Sequence, residues 1–458
     1  MTSRTESDSM GNIQISADAY WGAQTERARL NFGISPYTMP LVFQKALASV
    51  KEAAAQVHKD LGLGDAKLYE AVILAAQEVR EGKHPLQFPV DVFQTGSGTS
   101  WNMNMNEVIA GRANEILGAG RGGKSPVHPN DLVNQGQSSN DVIPSTLNIS
   151  NIVGLKTLIP EVRRLSAAFG EKAVLWKNQV KIGRTHLQDA VPLSLGAEMS
   201  AFSRQLHLAA DRLETVFPRL RELALGGTAL GTGINTHPEF APRAAQKLSQ
   251  IWGETLIPAE NFYEAIAARD VQTELMGALN VLAVALMKIA NDLRLLSSGP
   301  RCGLGEIFLP SLQPGSSIMP GKVNPVIPEM TIQAAAHVMG KLTSVTIACQ
   351  NGPLQLNIMM PLLAHETLSS LELMENTCRV FREKCVEGLE VNGPQCEAWV
   401  EQSMALVTPL NLSIGYDRAA GLAYKAVKEK KTVRQVVVEE GVLTEEEAAV
   451  ILDPRKMI

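Results

Sequence analysis

Residues 275–296 read LMGALNVLAVALMKIANDLRLL, and Leu275, Leu279, Leu282, Leu286, Ile289, Leu293 and Leu296 alternate spacings of four and three without a break. That repeat draws one apolar seam along an α-helix and marks it for burial against other helices. Asn280, Lys288, Asn291 and Asp292 interrupt the stretch, so it reads as a bundle helix and not as a membrane span. A second stripe runs from Leu195 through Met199, Phe202 and Leu206 to Leu213 and Leu220, with a kink predicted at Pro218. With helix-like patterns over 145–172, 328–346 and 361–388, this makes five long helices, rods of roughly 20 to 30 residues crossing near about +20°. The flanks differ. Residues 1–138 mix shorter helices at 41–61, 67–81 and 102–117 with Gly- and Pro-rich turns. The tail from residue 395 offers short helices such as 419–429 and the capping pattern Thr444-Glu445-Glu446-Glu447. Strands are expected to be few, and Val436-Val437-Val438 fits a helical turn as well as a strand. The reading is a mainly α chain in three parts: 1–138, a central helical bundle over 139–394, and a small helical domain over 395–458.

At 458 residues the chain is longer than one hydrophobic core usually serves. A composition 45% hydrophobic and 19% charged is that of a globular protein. Net charge is −5 with no long Lys/Arg block, so neither nucleic acid nor an anionic membrane is an expected partner, and any cation at an anionic ligand must be local. The five cysteines (Cys302, Cys349, Cys378, Cys385, Cys396) form no C-x-x-C pair and fit reduced thiols. The polar, acid-containing stretch at 1–8 lacks a presequence pattern, which makes a cytoplasmic location the expectation. No His-x-x-x-His, Cys/His cluster or paired-Asp loop is present, so no metal and no cofactor are expected.

Three loops are far richer in Gly, Ser, Thr and Asn than their surroundings: 94–100 (QTGSGTS), 135–141 (QGQSSND) and 315–324 (GSSIMPGKVN). Each ends where a helical pattern begins, so its hydroxyls and N–H groups lie near a helix N-terminus, where carboxylates are favoured. Ordinary N-capping explains any one of them, but three together point to a dianion. Gly96 and Gly98 lack the rest of a dinucleotide fingerprint, and Gly315-Ser316-Ser317 lacks a nucleophile elbow. His186, in Gly183-Arg184-Thr185-His186 before a long helix, is a candidate proton carrier, with a satisfied structural histidine as the plain alternative. Lys322 and Asn324 could aim a cation and an amide at one anionic group, or be a solvated loop. The residues alone reach as far as an anion-binding helical enzyme that moves a proton.

The run Gly315-Ser316-Ser317-Ile318-Met319-Pro320-Gly321-Lys322-Val323-Asn324 resembles the hallmark signature of the fumarase/aspartase superfamily. Thr95–Thr99 with Asn102-Met103-Asn104, Ser138–Asp141 and Gly183–His186 resemble further family segments in the same order. The resemblance implies a three-domain, mainly helical subunit, a homotetramer with sites shared between subunits, and removal of a proton next to a carboxylate through an aci-carboxylate. By the same resemblance Ser316 is the base, Lys322 and main-chain N–H groups stabilise its alkoxide, and His186, oriented by Glu329, manages the proton of the leaving water. Ser97, Gly98, Thr99, Ser138, Ser139, Asn140, Thr185, Ser317, Lys322, Val323 and Asn324 line the dicarboxylate. His128, Pro129, Asn130 and Asp131 resemble a second anion site, although Ser125 stands where an arginine is expected.

Val127–Asp131, Gly226–Ala229 and Cys302-Gly303 resemble the iron-independent, class II fumarases, which implies reversible hydration of fumarate to (S)-malate, a step of the tricarboxylic acid cycle. Pro325–Glu329, Leu354–Asn357 and Ser100 resemble aspartases instead and keep aspartate ammonia-lyase as the alternative, while Trp101 matches neither. A non-catalytic structural homologue is the alternative of another class, and the joint presence of Ser316, Lys322, Asn324, His186 and Glu329 speaks against it.

Overall fold

A computed structural model describes residues 3–458. The described chain opens with an antiparallel hairpin, β1 (Ser3–Asp8) and β2 (Gly11–Ser16), followed by α1 (Ala23–Asn31), α2 (Leu41–Asp60), α3 (Ala66–Arg80), α4 (Thr99–Ile116) and the long α5 (Ser139–Leu175). A second hairpin, β3 (Val180–Thr185) and β4 (Gln188–Ser194), leads into α6 (Leu195–Glu214), then α7 (Phe217–Leu220), α8 (Phe240–Trp252), α9 (Phe262–Ala267) and α10 (Asp270–Leu296). α11 (Val326–Gln350) and α12 (Met360–Phe381) complete the long helices. The tail is built of α13 (Gly393–Gln402), α14 (Asn411–Ile414), α15 (Tyr416–Glu429), α16 (Val433–Glu439) and α17 (Glu445–Ile451).

The heptad stretch is α10, and all its seam residues from Leu275 to Leu296 are buried. Pro218 does not kink a continuous helix: α6 stops at Glu214, and the proline sits in the first turn of α7, where its missing N–H leaves no bond unmade. α12 ends at Phe381, short of the predicted 388, and passes into a π-helical turn over Arg382–Val386. Val436–Val438 lies in α16, whose N-terminus carries a reciprocal capping box between Thr432 and Gln435, and the expected box at Thr444 and Glu447 starts α17.

The chain divides into two compact units, one of Met1–Ile159, Arg212–Asn280 and His337–Met374, the other of Pro160–Asp211, Val281–Ala336 and Glu375–Ile458. Their boundaries fall inside α5, α10, α11 and α12 and near the end of α6. In the first unit α2 is buried on nearly every face from Phe43 to His58. Trp101 on α4 is fully buried, packs on Phe43 at 5.2 Å between ring centroids, and donates its indole N–H to Val90 O at 3.2 Å. It is therefore a core residue behind the 94–100 loop. In the second unit Val180 and Ile182 of β3 share a core with Leu406, Leu422, Val433 and Val437, which roots the second hairpin in the C-terminal helices.

Truncating the seam at Leu286→Ala leaves a cavity among fully buried side chains. It is expected to cost about 2–5 kcal/mol, seen as a lower midpoint in thermal or urea unfolding.

Candidate active site

The first unit holds two of the three polar loops at the starts of α4 and α5. Gly98 caps α4 with φ +74, and a Cβ there would meet the Ile143 side chain of α5 at 2.9 Å. A Cβ on Gly96 would fall 1.9 Å from Ile358 O, and Met360 N–H donates to Gly96 O at 2.9 Å. Glycine at both positions lets the loop lie flush against its neighbours. Ser97 and Thr99 hydroxyls are hydrogen-bonded to one another at 2.7 Å. At the start of α5 the Ser138 hydroxyl accepts from Asn140 N–H at 3.2 Å, while Asp141 Oδ1 accepts from Ser138 N–H at 2.9 Å. The other oxygen of Asp141 accepts from Gly226 and Thr228 N–H, each at 2.9 Å. Burial pushes the Asp141 carboxyl up to about 6, against the pull of those three N–H donors. Asn140 Nδ2 donates to Ala229 O at 2.7 Å, and Asn102 Nδ2 of α4 donates to Ser139 Oγ at 3.2 Å. Ser97, Gly98, Thr99, Ser138, Ser139 and Asn140 thus sit on two helix starts that are braced against each other.

The second unit carries His186, Thr185, the Gly315–Asn324 loop and Glu329. His186 does not precede a long helix directly, as its polar segment suggested; it occupies the tip of the β3–β4 hairpin, where it and Leu187 form a two-residue turn with φ of 55° and 61°. Side chains with a Cβ rarely adopt that region, so the tip is held in a sparsely populated conformation of the kind found at functional sites. His186 and Thr185 are exposed, and Leu187 is 73% exposed. The hairpin is anchored two residues away, where Arg184 Nη1 donates to both carboxylate oxygens of Glu306 at 3.0 Å. Glu306 is fully buried, and the buried Lys181 lies 3.5 Å from it and 3.3 Å from Glu198.

The Gly315–Asn324 loop closes on itself through Gly315 N–H to Lys322 O at 2.8 Å and Asn324 Nδ2 to Gly315 O at 2.6 Å. A Cβ on Gly315 would stand 2.6 Å from Lys322 O, which fixes glycine there. Ser316 Oγ accepts from the N–H groups of Ile318 at 3.2 Å and Met319 at 2.9 Å, an ST-turn that surrounds the oxygen with donors. Ser317, Lys322 and Val323 are exposed, Asn324 is half-buried, and Ile318 stands 82% exposed. Glu329 lies in the first turn of α11, half-buried. Among the described residues no hydrogen bond joins His186 to Glu329 or Lys322 to Ser316 within this one chain.

At the outer position, His128 Nδ1 lies 3.2 Å from Asn130 N–H, 3.1 Å from Asp131 N–H and 3.2 Å from the Asp131 carboxylate. Pro129 is buried at the start of a π-helical turn that reaches Val133. Among the described residues no group of three or more His, Cys, Asp or Glu side chains could hold a metal ion. Asp141 and the Arg184–Glu306 pair are the supports that the motifs left unassigned. Gly226 and Thr228, which donate to Asp141, and Glu306, the partner of Arg184, lie far along the chain, so local spacing carries no sign of those contacts.

A lyase family profile matches residues 11–340, and a profile for the C-terminus of fumarase C matches residues 406–458. Over 99% of its length the chain is 53% identical to a class II fumarate hydratase of Halobacterium salinarum and 48% identical to one of Photorhabdus laumondii, covering 97% and 98% of those proteins. It superimposes on the crystal structure of a class II fumarase from Schistosoma mansoni with a TM-score of 0.96 at 40% identity, over 100% of this chain and 99% of that one. The chain belongs to the fumarase/aspartase superfamily of lyases, within its class II fumarate hydratase family.

Substituting Glu306→Gln leaves Arg184 and Lys181 buried against a neutral amide. Loss of about 3–5 kcal/mol is expected on the scale of broken buried ion pairs, together with a lower kcat as the His186 tip loses its anchor; unfolding curves and steady-state rates on one preparation read both.

Proposed function

We propose that this protein interconverts fumarate and (S)-malate by acid–base chemistry of its own side chains. The observation that carries the reading is Ser316, whose hydroxyl oxygen accepts two main-chain N–H bonds inside the family's signature loop. Donors aimed at an oxygen favour its ionised form, which is what a serine needs to act as a base. Ser316 would take the proton next to the carboxylate. Lys322 and Asn324 would stabilise the doubly charged aci-carboxylate, a role in which pre-placed charge and donors contribute most to rate. His186 would pass a proton to the departing hydroxide, with Glu329 orienting it. Thr99, Ser138, Ser139, Asn140, Thr185 and Ser317, with Ser97, Gly98 and Val323 beside them, would hold the two carboxylates.

The reading extends to a cytoplasmic homotetramer of three-part subunits (1–138, 139–394, 395–458) whose sites are shared between copies. Its supports are the exposed hairpin tip at Leu187 and the exposed Val281 and Val284 on α10, surfaces that a neighbouring copy would cover. His128, Pro129, Asn130 and Asp131 would form an outer anion site, supported by a half-buried imidazole whose backbone contacts are all made through Nδ1.

Fumarate absorbance gives the test. Malate is expected to yield fumarate rapidly and aspartate none; turnover of aspartate at a comparable rate would overturn the choice of water as leaving group. Ser316→Ala is expected to lower kcat by on the order of 10³-fold or more, several kcal/mol of transition-state stabilisation, and an unchanged rate would remove the serine from the role of base.

A further inference from the structure

Asn134 Oδ1, just before the 135–141 loop, accepts from three donors: Lys51 Nζ at 3.0 Å, and the side-chain amides of Asn102 and Asn106 at 3.1 Å each. Lys51 also donates to Gln137 Oε1 at 2.9 Å. The N–H₂ groups of the two acceptor amides are turned onto backbone carbonyls, Asn134 Nδ2 onto Gln137 O at 3.2 Å and Gln137 Nε2 onto Val133 and Gln135 O at 3.1 Å each. Tyr69 OH donates to Gln135 Oε1 at 2.6 Å, and His58 Nε2 lies 3.4 Å from where a Cβ on Gly136 would be. Residues 134–137 are therefore held from below, one after another, by α2 and α3, and they lead straight into Ser138, Ser139 and Asn140.

Lys51 is fully buried, and no carboxylate stands within ion-pair distance of it among the described residues. An apolar residue would fill this position on a helix that is otherwise core, without the desolvation that a buried ammonium suffers. Both of its hydrogen bonds end on the loop. An ammonium is donor-only, so it forces the Asn134 and Gln137 carbonyl oxygens inward and fixes both amides in one of their two orientations.

We propose that Lys51 is a positioning residue for the dicarboxylate: its buried ammonium locks the 134–137 segment and so pre-places Ser138, Ser139 and Asn140 at the start of α5. This rests on reading those three residues as the carboxylate cradle. A cradle of uncharged donors is effective only if the donors are already in place when the dianion arrives.

The ammonium also makes the cradle sensitive to pH. Burial pushes Lys51 down to about 7, with Asp141 of α5 acting in the opposite direction. From α4 the neutral amides of Asn102 and Asn106 share its acceptor, Asn134 Oδ1. On α2 itself, His58 is pushed down to about 4 by burial and by His237, so it is uncharged near neutrality, and Glu52 is taken up by Arg80. With its folded value lowered, Lys51 is charged below about 7 and loses its charge-assisted bonds above it.

The test measures KM and kcat for fumarate and for malate between about pH 6 and 8.5, with the parent, Lys51→Met, Gln137→Leu and Ser139→Ala as full-length proteins. The parent KM is expected to climb several-fold through about pH 7. In Lys51→Met, KM should be raised about 10- to 100-fold for both substrates at the acid end and lose the rise through about pH 7 that the parent shows, with kcat within about threefold of the parent. Gln137→Leu, at a half-buried position, removes one acceptor and should raise KM by a smaller factor; it decides the matter if Lys51→Met does not fold. A merely structural lysine would lower the unfolding midpoint and leave the pH course of KM as it is in the parent, and that result overturns the proposal. If Ser139→Ala raises KM and the Lys51 and Gln137 variants do not, the positioning role fails alone. If Ser139→Ala also leaves KM unchanged, the cradle reading has failed with it.

Discussion

The Asp141 carboxylate takes three main-chain N–H groups in a fully buried position, one from Ser138 and two from the 226–228 turn. The geometry of the first unit's candidate site depends on that bond set. A dicarboxylate held by hydroxyls and amides gains little from any one of them, so the donors must share a fixed frame. Asp141 supplies the frame on one side by joining two segments more than 80 residues apart in the chain. Gly96 and Gly98 supply it on the other, because the backbone of the 94–100 loop touches Ile358 and Ile143 at distances that no side chain could enter. Lys51 and the Asn134 cluster close the space between.

The second unit solves a different problem, that of holding a short hairpin whose tip is strained. Arg184, Lys181, Glu198 and Glu306 form a buried ionic group at its base. Such groups are weak contributors to net stability, because desolvation offsets most of their attraction. The pairing between β3 and β4 shifts between Ile182 and Arg184, and Arg184 Nη1 donates to both oxygens of Glu306 beside that irregularity.

Helices were the legible part. The seam of α10 follows directly from its period, and α4 and α5 begin at the polar loops because Gly98, Ser138 and Asp141 carry local capping chemistry that spacing reveals. The Thr444 box is equally local. The β3–β4 hairpin was not legible: its strands are six and seven residues long and its turn is His-Leu, without the Gly or Asn that normally marks a turn with positive φ. Arg184 and Glu306 are 122 residues apart, so nothing near either announces the pair. Lys51 did leave a trace, since it continues the core stripe of α2 four residues after Leu47, and a lysine on a stripe that must be buried needs a reason. Trp101 was opaque for the opposite cause. Its neighbours in sequence belong to the polar 94–100 loop, while its ring turns back into the core.

The ST-turn at Ser316 has a consequence for motion. Both donors to its oxygen come from residues two and three positions further on, within the same short loop. The serine's microenvironment is thus carried by the segment itself, and a rigid displacement of residues 315–324 would leave it intact. Hydrogen bonding and placement become separable properties: the first is written into four consecutive residues, while the second is set by the position of the whole segment. On the proposed role of Ser316, a loop built this way keeps the donors around that oxygen wherever the segment lies, because none of them comes from outside it.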